Sequence, residues 1–114
     1  MSEYSTMLYE VTDHVACITM NRPQSLNGIT NTMMRELYEI TGRAAEDPQV
    51  RVVKLTGAGR GFCPGADLKA FSSGEPQEEN RKEYFHITSL LHEMPKVTIA
   101  AINGACAGAG FGWA

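Results

Sequence analysis

The sequence predicts an α/β fold arranged as a stack of repeated β-β-α turns. Three observations carry that reading: an alternating apolar pattern that suits a hairpin, two long stretches with apolar residues at helical spacing, and two strand-like runs that each lead into glycine-rich turns. The resulting order, ββαβαβα, is that of stacked β-β-α turns, although no sequence repeat marks them and no internal linker divides the chain.

The elements follow in order. Met7–Asp13 and Val15–Met20 alternate apolar with polar residues about Asp13-His14, the pattern of an antiparallel hairpin with one buried face. Asn21-Arg22-Pro23 ends the second strand, and Gln24 to Gly28 is a loop of turn-forming residues. Thr30 or Asn31 can cap a helix with Met33, Leu37, Ile40 and Ala44 on one face, stopped by Asp47-Pro48. The β-branched run Val50 to Leu55 predicts a strand, with Thr56-Gly57-Ala58-Gly59 as its turn. Arg60 to Ala70 reads as a turn leading into a short helix, and Ser72 to Gln77 as a polar loop. Glu78 to Met94 carries Tyr84, Ile87, Leu91 and Met94 on one helical face, has an acidic start that suits the helix dipole, and is closed by Pro95. Val97 to Ile102 is an apolar run of strand length, and four glycines follow between Gly104 and Gly112.

Composition narrows the classes of function. A chain of 114 residues, 43% hydrophobic and 20% charged, fits one globular unit, and a net charge of -3 leaves no basic face for nucleic acid. Cys17, Cys63 and Cys106 are odd in number and widely separated, which suits neither a disulfide framework nor a zinc ligand set and points to a reducing, cytoplasmic setting. Met1 to Met20 lacks the basic-then-apolar pattern of a signal peptide, and Val97 to Ile102 is too short to span a membrane. His86 and His92, six apart on the second long helix, do not share a face for a metal.

The most informative segments are Gly61-Phe62-Cys63-Pro64-Gly65-Ala66-Asp67-Leu68-Lys69 and Asn103-Gly104-Ala105-Cys106-Ala107-Gly108-Ala109-Gly110. Each follows a strand-like run and opens toward a helix, where small residues let a ligand reach unpaired main-chain N–H groups. Side by side, two such turns can each give one N–H to an oxygen that gains charge, as a thioester carbonyl does on becoming an enolate. A dinucleotide fingerprint fits less well, because Phe62 and Trp113 stand where its last glycine belongs, and no Gly-Lys-Ser/Thr marks a P-loop.

These two segments resemble the signature turns of the crotonase, or enoyl-CoA hydratase/isomerase, superfamily. The similarity extends through Asn21-Arg22-Pro23 to Asn27, which resembles the family's early CoA-contacting loop, and through Leu55-Thr56-Gly57. It implies a crotonase-type spiral, present here as its N-terminal part over residues 1–114, and an enzyme acting on an acyl-CoA thioester. By position, Ala66 and Ala109 would supply the oxyanion-hole N–H groups. Leu26, Gly65, Asp67, Leu68, Lys69 and Gly108 would line the substrate channel. No metal or redox cofactor is implied, CoA being part of the substrate, and the complete form would be a homotrimer or a dimer of trimers, with no nucleic-acid or membrane partner. The chain alone is expected to be inactive.

One departure bears on the reaction. The hydratases carry a glutamate two residues after the last glycine of the second turn, where this chain has Gly112, and their further acid lies beyond Ala114. One carboxylate can move a proton along an acyl chain, whereas adding water usually draws on two, so the resemblance leans toward an isomerase. A CoA-binding module that has lost its acids is the alternative. Asp67 can act as a general acid or cap the following helix, the capping role fitting better; Lys69 can meet a CoA phosphate or simply lie exposed; and Cys63, without a histidine partner, is assigned no role.

Overall fold

The structure, a computed structural model, describes residues 4–65, 67, 86–106 and 113. Strands β1 (Met7–Thr12) and β2 (Val15–Met20) form the expected hairpin, joined by Asp13 and His14 at φ 51° and 67°. Two successive left-handed residues give the turn whose twist matches that of the paired strands. A 3-10 turn at Pro23–Ser25 precedes α1 (Asn31–Glu46), which Thr30 caps by accepting a bond from the Met33 N–H at 3.2 Å. Met33, Leu37, Ile40 and Ala44 are fully buried, as their spacing predicts.

Strand β3 spans Val52–Gly57, two residues further along than the apolar run suggests. Its parallel register with β2, Val15 to Val52 through Met20 to Gly57, draws Thr56 and Gly57 into the sheet, while His14 takes the Arg51 N–H. Gly61–Cys63, read above as a turn, is strand β4, and the start of the second glycine segment, Ala105–Cys106, is β6. They pair with each other across 42 or more residues of chain, a contact to which local propensity is blind. Between them come α2 (Ile87–Glu93) and β5 (Val97–Ala101). Ile87, Leu91 and Met94 face inward, while His86 and His92 are exposed. The predicted helix over Glu78 to Phe85, the short helix after Asp67 and the loop at Ser72 to Gln77 lie outside the described residues.

Among the described residues four strands form one sheet in the order β1-β2-β3-β5, antiparallel at the hairpin and parallel thereafter; β4 and β6 make a second, parallel ladder. After the β1–β2 hairpin, which lies wholly in the larger sheet, the chain alternates between the two: β3 and β5 join the larger sheet and β4 and β6 the smaller, which is a spiral. The core lies on one face, where Met7, Ala16, Ile18, Met20, Val53 and Leu55 meet the apolar side of α1 and α2. On the other face Val97 and Ile99 are 60% and 49% exposed.

Polar clamps fix the elements to one another. The buried Glu36 carboxylate on α1 accepts from the Ser5 N–H (2.9 Å), the Thr6 N–H (2.8 Å) and the Thr6 hydroxyl (2.6 Å), holding the entry to β1. Lys96 donates from Nζ to the Ala44 and Asp47 carbonyls at 2.9 and 2.5 Å, closing the C-terminus of α1 from the start of β5. Among the described residues no helix is long and apolar enough to cross a membrane.

Candidate active site

Three loops meet beside the β4–β6 ladder. Loop 22–28 leaves β2, loop 57–61 joins β3 to β4, and loop 102–104 joins β5 to β6. Asn27, fully buried, donates from Nδ2 to the Ala58 and Gly61 carbonyls at 3.0 and 2.7 Å and accepts the Arg22 N–H at 2.8 Å. Such a network leaves its carboxamide satisfied without water. From the other side Asn103 accepts the Gly57 N–H at 3.1 Å and donates to the Gly59 and Gly61 carbonyls at 2.9 and 3.2 Å. Packing here excludes side chains: a Cβ on Gly57 would lie 2.5 Å from the Gly61 oxygen, and one on Gly104 would run into the Arg60 carbonyl.

The first glycine turn is held just as closely. Ile29 donates its N–H to the Gly65 carbonyl and accepts from the Asp67 N–H, both at 2.8 Å. Gly65 itself adopts a φ of 106°, open only to glycine. The Asp67 carboxylate meets the Arg22 guanidinium at 2.8 Å, with both side chains largely buried, and Arg22 also reaches the Gly28 carbonyl. Asp67 therefore ties the first glycine turn to the loop after β2. The helix it was expected to cap lies outside the described residues.

In the ladder, Gly61 stands opposite Ala105 and Cys63 opposite Cys106, with Phe62 bulged between. The two glycine turns are therefore fed by adjacent parallel strands. Burial pushes the Cys63 thiol pKa up, against a weaker opposing hydrogen bond from the Gly65 backbone. Such a thiol is a poor nucleophile, in keeping with the absence of a role assigned from sequence.

Of the site residues named from sequence, Gly65 and Asp67 lie together in this cluster, and Leu26, at φ 52°, packs its backbone against Gly61. Ala66, Leu68, Lys69, Gly108 and Ala109 lie outside the described residues. Sequence reasoning missed Arg22, Asn27 and Asn103 as the side chains that hold the cluster together. The available signal was that each sits in or beside a glycine-containing turn with no helix of its own to cap. A cavity of about 40 Å³ between β3, β5 and α2, partly open and lined by Val53, Leu55, Leu91, Thr98, Ile99 and Trp113, is too small for an acyl-CoA. Among the described residues no group of three His, Cys, Asp or Glu side chains could hold a metal, and the three cysteines are free.

Residues 10–114 match the family model of enoyl-CoA hydratase/isomerase. The chain belongs to the enoyl-CoA hydratase/isomerase family. A probable enoyl-CoA hydratase of Mycobacterium tuberculosis is 40% identical over 112 residues, covering 96% of this chain and 44% of that protein. The 1,2-epoxyphenylacetyl-CoA isomerase of Escherichia coli is 36% identical over 110 residues, covering 91% of this chain and 42% of its own length. A solved structure from Pseudomonas aeruginosa superposes with a TM-score of 0.84 at 34% identity, over all of this chain and 51% of that one. An enoyl-CoA hydratase/isomerase from Xanthobacter autotrophicus does so with a TM-score of 0.82 at 31% identity, over 96% and 43%. The chain thus spans a little under half the length of these curated relatives, and its spiral is the crotonase fold of the family in part.

Proposed function

We propose that this chain supplies the carbonyl-binding part of an acyl-CoA thioester enzyme, in which the Ala66 and Ala109 N–H groups stabilise an enolate. The observation that carries the reading is the parallel pairing of β4 with β6. Cys63 and Cys106 stand opposite each other, and in the sequence Ala66 and Ala109 each follow three residues later. The bonds that join Ile29 to Gly65 and Asp67 add support, because they hold the residues on either side of position 66 against the loop after β2.

The chemistry follows from that pair of donors. Enolate formation moves charge from the α-carbon onto the thioester oxygen, and donors about 2.7–3.1 Å from that oxygen stabilise the transition state more than the ground state. Leu26, Gly65, Asp67, Leu68, Lys69 and Gly108 border the acyl-CoA in this reading. The proton transfers call for a carboxylate, and with Gly112 at the position of the hydratases' first glutamate we favour a double-bond shift by one base over addition of water. No metal or redox group is needed, since two N–H donors and one base suffice.

Ala66→Pro in the whole protein removes one donor and tests the reading. Turnover of a 2- or 3-enoyl-CoA is expected to fall about 100- to 1,000-fold, as for loss of one oxyanion-hole donor elsewhere. Unchanged turnover would refute it. The second reading, a CoA-binding module without catalysis, is favoured by Gly112 and predicts thioester binding with no turnover in the wild type.

A further inference from the structure

Asn103 sits two residues before β6 begins, opposite the point where β4 begins at Gly61. Its carboxamide spans the whole β3–β4 turn, accepting from Gly57 at one end and donating to Gly59 and Gly61 toward the other. The Gly61 carbonyl takes a second bond from Asn27, so the first residue of β4 is held from both sides. Gly104 closes the same contact, its Cα lying where any side chain would strike the Arg60 carbonyl.

We propose that Asn103 is a positioning residue that sets the offset of β6 against β4, and through it the separation of the two N–H donors. The inference rests on the two-donor reading above. Its physical basis is that a donor pair works only when both groups converge on one oxygen, and a displacement of about 1 Å remote from the chemistry can cost about 100-fold in rate. Stability and catalysis also separate at this residue. Asn27 is fully buried, whereas Asn103 is exposed, and water replaces hydrogen bonds lost at an exposed side chain.

The experiment compares wild type, Asn103→Ala, Asn103→Asp and Ala66→Pro in the whole protein, with kcat and KM measured separately on 2- and 3-enoyl-CoA and thermal melting alongside. Asn103→Ala is expected to lower kcat about 10- to 100-fold with KM little changed, and to keep its melting temperature within about 4 °C. Asn103→Asp keeps the acceptor for Gly57 and loses both donated bonds, so kcat should fall there too. If Ala66→Pro loses turnover while both Asn103 variants keep wild-type kcat, the positioning role is overturned and the two-donor reading stands. A rise in KM alone, or an Asn103→Ala protein that does not fold, overturns the positioning role as well. Full turnover in Ala66→Pro, or a wild type inert toward both substrates, overturns the donor reading and this inference together.

Discussion

Gly104 and Gly57 show how little room separates the loops behind the glycine turns. With a Cβ at position 104 aimed into the Arg60 carbonyl, backbone rather than a flexible side chain has to move. Gly104→Ala is therefore expected to destabilise the chain by about 1–3 kcal/mol, the range for overpacking, in chemical denaturation. Two titrating groups add a pH dependence. Burial raises the Cys63 thiol above its ordinary 9.0 and the Tyr9 phenol above its ordinary 10.0, with Arg43 partly offsetting the latter. Both are favoured neutral in the fold, so their contribution is intact below the ordinary values and is lost as pH climbs past them, first for Cys63. Denaturation midpoints should fall above pH 9, and Cys63→Ala should remove the earlier part of that fall. In the native protein Cys63 should also resist alkylation at neutral pH while Cys17 and Cys106, both partly exposed, react.

The elements are held by side chains at their ends. Removing the Glu36 carboxylate orphans the Thr6 N–H and hydroxyl in a buried setting, so Glu36→Ala is expected to cost about 3 kcal/mol and Glu36→Gln less. Lys96→Met deletes the two bonds that close α1 and should cost about 1 kcal/mol, read from urea midpoints. The sequence announces such elements when their signals are local. The hairpin is readable from its alternation about Asp13-His14, and α1 from its spacing and the Thr30 cap. Strands β4 and β6 are not, because Gly61–Cys63 and Ala105–Cys106 have no strand propensity of their own and exist by pairing with each other. The candidate site divides in the same way. Its glycine turns stand out in the sequence, whereas the Arg22–Asp67 pair and the two asparagines act across 31 to 46 residues of chain.

At the scale of the molecule, the sheet formed by the described residues ends at β5, with Val97 and Ile99 exposed on one face and Ile102 55% exposed just beyond. An apolar edge strand of this kind is a template for further pairing. The 114-residue chain by itself is expected to self-associate with rising concentration in sedimentation velocity, and Val97→Lys with Ile99→Lys to suppress it; a monomer at every concentration would contradict this. In the proposed function the paired β4 and β6 deliver two donors to one thioester oxygen. Isotope-edited infrared spectroscopy of a 13C-labelled enoyl-CoA bound to the whole protein reads that polarisation at the carbonyl itself. A stretch shifted below its frequency in water, and restored toward it by Ala66→Pro, is the predicted result. A bound carbonyl that vibrates as it does in water would contradict the claim.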